Sequence, residues 1–255
     1  MAKGCLPQFL RWKPENKQKL LEGPVVNYDA IYEKCCNRNS SGDLFQLFLP
    51  ESAVKSLVTE GQVISTLRQN AAIGRSKDVN ALASYFVKDA RKTFLTMVYS
   101  GTSQYAWLLY EANFTDDSLP VTKHTSEAAD GNRLWLEPFP PRGNGEAPQG
   151  LAAKTRHFSD TWSKKECNDF YQHQWMFRAP VFRADTFEYS LEPDVPLPYI
   201  PSYRFSEPGA GHFSTVQKVG LLNDHHDLHG QLGVSALYIE CGLIADMING
   251  VDNTI

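Results

Sequence analysis

The strongest constraint on the fold is a run of apolar residues between positions 79 and 98 that recur at helical spacing. Its members are Val79, Leu82, Ala83, Phe86, Val87, Ala90, Phe94 and Val98. Residues three or four positions apart lie on one face of an α-helix, and a broad apolar face must pack against other elements. The pattern therefore predicts one long helix, which starts after Ser76 and is ended by Gly101, inside a packed helical bundle.

Capping signals predict further helices, because a side-chain acceptor followed by an apolar stripe is typical of a helix start. Three segments have this form: Tyr28, Ile31, Tyr32 and Cys35 after Asn27; Val63, Ile64 and Leu67 after a capping box at 59–62; Cys167, Phe170, Tyr171, Gln174 and Trp175 after a capping box at 163–166. A further apolar run occupies 105–114. We interpret the aromatic residues Trp162, Phe170, Trp175 and Phe177 as core.

Between 115 and 155 the periodic pattern is lost, and proline and glycine become frequent. We interpret this stretch as a long surface connection and as the best domain boundary, with disorder expected over 140–150. The adjacent acids Asp116 and Asp117 could be catalytic, but a solvated turn before Pro120 is the preferred interpretation.

A β-rich part follows the helices. A proline-rich strap at 193–201 leads into 202–222, where Phe213, Val216, Val219 and Leu221 are expected to be buried. Within it lies a glycine-containing loop whose backbone could approach a phosphate closely, since glycine imposes no side chain. The residues expected to bind a nucleotide are Gly209, Ala210, Gly211, His212, Phe213, Ser214 and Val216. A hairpin that carries glycines for steric reasons alone is the alternative.

The stretch SEPGAGHFSTVQKVGL at 206–221 resembles the glycine-rich loop and first two strands of eukaryotic-type protein kinases. In that resemblance Gly209 and Gly211 match the first two glycines, Phe213 matches the aromatic residue at the tip, and Val216 matches the valine that covers the adenine. Ser214 stands at the third glycine. DDSLP, QWMFRAPVF and PLPYIP at 116–120, 174–182 and 196–201 extend the resemblance to filamentous-fungal proteins with a helical region ahead of a kinase domain.

The resemblance implies ATP binding and Ser/Thr phosphorylation, but phosphoryl transfer in this family also requires a lysine on the third strand, a catalytic Asp and metal-binding Asn and Asp. Lys218 is the last lysine of the chain and belongs to the second strand, and no VAIK, HRD or DFG segment follows it. We therefore expect an inactive chain with no catalytic residues, no metal and at most weak ATP binding. Residues 230–255 match nothing in the family, so they are interpreted as a truncated product or an intron read into a gene model, with a helix over 235–248 as the alternative.

Composition limits the other classes of function. The net charge is −4 and no block of Lys and Arg occurs, so neither nucleic acid nor a membrane is an expected partner. Five cysteines without regular spacing, and the lack of a secretory signal, favour reduced, buried thiols in an intracellular, cytoplasmic setting, since an odd number of cysteines does not pair fully. The cluster of His and Asp at 224–229 could bind a metal, but a strand-joining turn is preferred.

The predicted fold is α+β: a mainly helical region followed by the first antiparallel strands of a kinase N-lobe, incomplete. The segments are 1–26 (N-terminal), 27–114 (helical), 115–156 (connection), 157–200 (helix and strap), 201–229 (partial N-lobe) and 230–255 (divergent tail). Two functions stay open: an inactive kinase-family chain that retains the glycine loop, or a helical module that binds a protein partner without nucleotide.

Overall fold

The computed structural model describes residues 23–38, 46–69, 78–126, 133–138, 161–186, 189–200, 209–210, 214–227 and 236–242. These residues form an α+β fold with two small antiparallel sheets, which confirms the predicted class. The helices are α1 Tyr28–Lys34, α2 Glu51–Leu57, α3 Glu60–Gln69, α4 Val79–Asp89, α5 Arg91–Tyr99, α6 Ala106–Glu111 and α7 Lys164–His173. Within the described part, no helix has the length and apolar character that crossing a membrane requires.

The helix starts predicted at Asn27, Thr59 and Ser163 are confirmed by capping hydrogen bonds. The helix predicted to start after Ser76 begins at Val79, where the Asp78 side chain is the cap. The Asn27 side chain accepts a bond of 2.9 Å from the Ala30 N–H at the start of α1. At α7 the Ser163 hydroxyl accepts from the Glu166 N–H while the Glu166 carboxylate accepts from the Ser163 N–H. Local side-chain chemistry thus fixes these boundaries, which is why the sequence alone locates them.

The single long helix predicted over 79–98 is wrong, because the chain breaks at Ala90. There φ is −145° and ψ is 41°, which separates α4 from α5. The break lets Phe86 and Phe94 both be fully buried, with ring centroids 5.3 Å apart. Alanine is an excellent helix former, so neither propensity nor periodicity could reveal a break at this position.

The end of α5 at Gly101 is confirmed. Gly101 has a φ of +70°, which few residues other than glycine adopt. Its N–H donates to the Val98 carbonyl, and the Thr102 N–H donates to the Met97 carbonyl over 2.8 Å. This pair of bonds is the Schellman motif, and it satisfies carbonyls that the helix end leaves open.

The break at Ala90 is stabilised by Asp116, which the sequence analysis placed in a solvated turn. That interpretation is wrong for Asp116: its carboxylate accepts bonds from the N–H groups of Lys92 and Thr93, at 3.1 and 2.8 Å, and from the Thr93 hydroxyl at 3.0 Å. Ala90 offers no side-chain cap of its own. Asp116 therefore caps α5 from a distant segment, whereas its neighbour Asp117 is exposed.

The described part of 115–156 is not the surface connection that was predicted for it. It contains an antiparallel hairpin of β1 Val121–Ser126 and β2 Arg133–Pro138, which packs against α7. Val121 and Leu136 are buried in the same core as the helices. Each strand contributes few core residues, so the sequence shows no alternation of apolar and polar residues that would predict these strands. The disorder expected over 140–150 falls outside the described residues.

Gln174 ties this hairpin to the helical region. It lies in a 3₁₀ helix, Gln174–Phe177, that continues α7, and its side chain is fully buried. Its amide accepts from the Val121 N–H over 2.6 Å and donates to the Val121 carbonyl over 2.9 Å. The side chain thus pairs with the backbone of β1 as a neighbouring strand would.

Two of the cysteines, Cys35 and Cys167, are buried in this core, as expected of structural thiols. The Cys35 thiol donates to the Ile31 carbonyl and lies 3.6 Å from the Met176 sulfur. Burial raises the pKa of Cys35 to about 12, so this thiol stays protonated at neutral pH.

The second sheet is formed by β3 Tyr199–Ile200, β4 Gly209–Ala210, β5 Ser214–Leu221 and β6 Ala236–Gly242. β5 pairs with β3 near its end, with β4 near its start, and with β6 along most of its length. Leu221 is buried as predicted. The helix that was the alternative for 235–248 is wrong over 236–242, because these residues form the strand β6.

Candidate functional site

Gly209 and Ala210 pair antiparallel with the strand that follows, which is the arrangement of the kinase glycine-rich loop. In the register of β4 and β5, Gly209 is opposite Val216 and Ala210 is opposite Thr215. Of the predicted nucleotide-binding residues, Gly209, Ala210, Ser214 and Val216 thus have backbone positions in paired strands. Gly211, His212 and Phe213, which join the strands, lie outside the described residues. The strand pairing fits either a phosphate loop or a plain hairpin.

The strand that follows in sequence does not supply the lysine that phosphate binding would need. β6 reads ALYIECG and contains no lysine. It pairs antiparallel with β5, and Lys218 lies opposite Tyr238. The neighbour of the hairpin on this side therefore lacks the residue that holds phosphates in active kinases.

The turn after β5 connects the hairpin to the helical region. It is a 3₁₀ turn, Asn223–His225, in which His225 is 1% exposed. His225 Nδ1 lies 2.8 Å from the Pro180 carbonyl and Nε2 accepts from the Glu51 N–H over 3.2 Å. Because a carbonyl can only accept, Nδ1 donates to Pro180, while Nε2 is the acceptor for the Glu51 N–H.

Asp224 adds a second bond to the same helix. Its carboxylate accepts from the Ser52 N–H over 2.8 Å. Burial raises the pKa of Asp224, but the hydrogen bonds from Ser52 together with smaller contributions from its surroundings hold the pKa below its ordinary value. Pro50 precedes α2 and supplies no side-chain cap, so Asp224 and His225 together satisfy the first N–H groups of α2. We call these two residues the clamp.

A strand-joining turn was preferred over a metal site for 224–229, and the part described, 224–227, confirms the turn. Asp227 also bonds to backbone, accepting from the Ala184 N–H over 2.6 Å. Among the described residues, no three or more His, Cys, Asp or Glu side chains are grouped as metal ligands would be. His229 lies outside the described residues. Nothing in the sequence indicated that this turn would cap α2, because the two segments are more than 170 positions apart.

An open cleft of about 460 Å³ lies between the end of α7, the segment 46–47 and the proline-rich strap. Four rings line it: Tyr99, Tyr171, His173 and Trp175. Trp162, Phe170 and Phe177 are buried as expected of core residues, but Trp175 is only half-buried. The prediction that Trp175 belongs to the core is therefore wrong, because helical spacing cannot distinguish a core ring from a ring at a cleft.

The rings of the cleft continue onto the surface through Tyr28. Its ring stacks on that of Tyr99, with centroids 4.3 Å apart, and Tyr28 is 49% exposed. His173 meets Tyr99 edge-on at 4.8 Å. Burial lowers the pKa of His173, so this ring is uncharged at neutral pH.

The charge of the cleft is set by Asp194, which is exposed on the strap. The other polar residues of the lining include the amides Gln46 and Gln172, and neither Lys nor Arg is among the described residues that line the cleft. The cleft therefore combines aromatic faces with one carboxylate.

Comparison with protein-family models, with curated proteins and with solved structures finds no match to this chain.

Proposed function

We propose that this chain is a non-catalytic relative of the protein kinases whose glycine hairpin binds ATP weakly. The observation that carries the proposal is the antiparallel pairing of Gly209–Ala210 with residues 215 and 216 across a three-residue connection. In this arrangement a phosphate would meet backbone N–H groups beside residues with small side chains. ATP would be held by Gly209, Ala210, Gly211 and Ser214, with Val216 against the adenine, as the resemblance implies.

Phosphoryl transfer by these residues is not part of the proposal. The lysine, the catalytic Asp and the metal ligands supply most of the electrostatic stabilisation in this reaction class. The 255 residues contain no HRD or DFG segment, and β6 has no lysine. Such a site supports weak binding of ATP without phosphoryl transfer.

Titration of the full chain with a fluorescent trinitrophenyl-ATP tests nucleotide binding. We expect saturable binding that ATP displaces, a loss of at least tenfold in affinity for Gly211→Val, and no phosphate transfer to casein. Lys218→Ala is the matched control, because a second-strand lysine has no phosphate role in the family. Absence of saturable binding to a chain whose circular dichroism shows folded helices would refute the proposal.

A second candidate function is a helical module that binds a protein partner, and the clamp favours it. The side chains of Asp224 and His225 accept hydrogen bonds from backbone N–H groups of α2. These bonds hold the end of the hairpin against the helical region. The aromatic cleft lies on that same helical region. This candidate function predicts that, in the titration above, the chain is folded but does not bind the nucleotide.

A further inference from the structure

The aromatic cleft has the size and composition of a binding site. Ligand pockets typically enclose a few hundred Å³ or more and combine apolar walls with a few polar groups, and this cleft has about 460 Å³. Its walls are four rings, its charged group is Asp194, and the amides Gln46 and Gln172 also line it. A ligand that satisfies all three features must offer a positive charge, a group that stacks on rings, and hydrogen-bonding groups for the amides.

The electrostatics of the walls favour a cation. The faces of tyrosine and tryptophan rings carry negative potential and attract ammonium and guanidinium groups. His173 adds no opposing charge, because its burial keeps the imidazole neutral. Asp194 adds a full negative charge at an exposed position, where it can meet an incoming cation.

The chain's own cations contact rings in this way, one of them the cleft ring Tyr171 and the other Tyr32 outside the cleft lining. Lys123 Nζ lies 5.3 Å from the centroid of Tyr171 and is hydrogen-bonded to the Asn168 side chain. Arg38 lies 6.0 Å from the centroid of Tyr32. Over the described residues, no such cation is placed on Trp175, which is half-buried. Tyr99 is buried and the Tyr28 ring is stacked on it, so Trp175 is the ring left for an external cation.

We propose that the cleft binds an arginine side chain presented by a peptide segment of a protein partner. A planar guanidinium can stack on Trp175 and donate two parallel hydrogen bonds to the Asp194 carboxylate. Gln46 and Gln172 can pair with the peptide backbone on either side of the arginine. This inference rests on the second candidate function and names the chemistry of its partner.

The test uses the full chain and a defined probe, the peptide acetyl-Gly-Gly-Arg-Gly-Gly-amide, in saturation-transfer NMR titrations at low salt. The matched probe replaces arginine by citrulline, which has nearly the same shape and no charge. We expect saturable binding of the arginine peptide, at least fivefold weaker binding of the citrulline peptide, and weakening with added salt.

Two aspartate variants identify the site. Asp194→Asn should lower the affinity for the arginine peptide at least fivefold. Asp185→Asn changes an exposed aspartate outside the cleft lining and should leave this affinity unchanged. Trp175→Leu should lower the affinity for both peptides. Equal affinities of the arginine and citrulline peptides, an unchanged affinity in Asp194→Asn, or tighter binding of an oligoproline peptide would each overturn the proposal.

The nucleotide titration separates this inference from the proposed nucleotide binding. Gly211→Val changes only the hairpin and should leave the arginine peptide affinity unaltered. A chain that binds the nucleotide but not the arginine peptide would count against the cleft. A chain that binds the peptide but not the nucleotide would count against the nucleotide site. A chain that binds neither ligand while its helices are folded would refute both.

Discussion

The cap that Asp116 provides to α5 gives the sharpest stability prediction. Replacing Asp116 by alanine removes two bonds to backbone N–H groups and one to the Thr93 hydroxyl. Loss of an N-cap costs about 0.5–2 kcal/mol, and a buried donor left unpaired costs about 1–3 kcal/mol. Thr93 is fully buried, so water cannot replace the carboxylate at its N–H.

The burial of the carboxylate itself acts in the opposite direction. Burial raises the pKa of Asp116 above its ordinary value, and the bonds from Thr93 and Lys92 offset this only in part. The net loss for Asp116→Ala is then about 3 kcal/mol in the free energy of unfolding, or a melting temperature lower by about 6–10 °C for a chain of this size. Urea unfolding followed by circular dichroism measures it.

Two variants control this measurement. Asp117→Ala changes the exposed neighbour and should cost less than about 0.5 kcal/mol. Asp116→Asn keeps an acceptor for the backbone and should cost about 1 kcal/mol. Equal stability of Asp116→Ala and Asp117→Ala would refute the assignment of Asp116 as the cap.

The sign of the pH dependence follows from the raised pKa. The folded chain holds the proton of Asp116 more tightly than the unfolded chain, so ionisation of this group lowers stability as pH rises from about 4, the unfolded value, through the higher folded pKa. Asp116→Asn cannot ionise. Its stability relative to wild type should therefore increase as pH rises through that window, and a constant difference would contradict the reasoning.

Three further predictions concern the clamp and the carboxyl end of α7. His225→Ala should lower the free energy of unfolding by about 3 kcal/mol, since it leaves the Glu51 N–H and a buried carbonyl without partners; a loss below about 1 kcal/mol in urea unfolding would contradict the clamp. Gln174→Leu should cost about 2–3 kcal/mol, because the backbone of Val121 loses both its bonds, and hydrogen exchange at the Val121 amide should accelerate. The lowered pKa of His173 means that the folded chain binds fewer protons, so melting temperature should fall as pH drops below about 6.5, and less steeply in His173→Gln.

The sequence by itself determined the features that depend on local chemistry. The caps at Asn27 and Ser163, the end of α5 at Gly101 and the extended course of β5 were all predicted, because each depends on residues within a few positions of one another. The α+β class follows from the same signals. The glycine hairpin was also recognisable, since its pattern lies in one continuous stretch.

Only the tertiary structure decided the features in which distant segments meet. The break at Ala90 is stabilised by Asp116, which lies more than 20 residues away, and the start of α2 is capped by Asp224 and His225 from the other end of the chain. The aromatic cleft likewise combines Tyr99 with Trp175 and Asp194. Hydrogen-bond partners separated by this distance leave no periodic or local trace in the sequence, because their proximity is created by packing of the core.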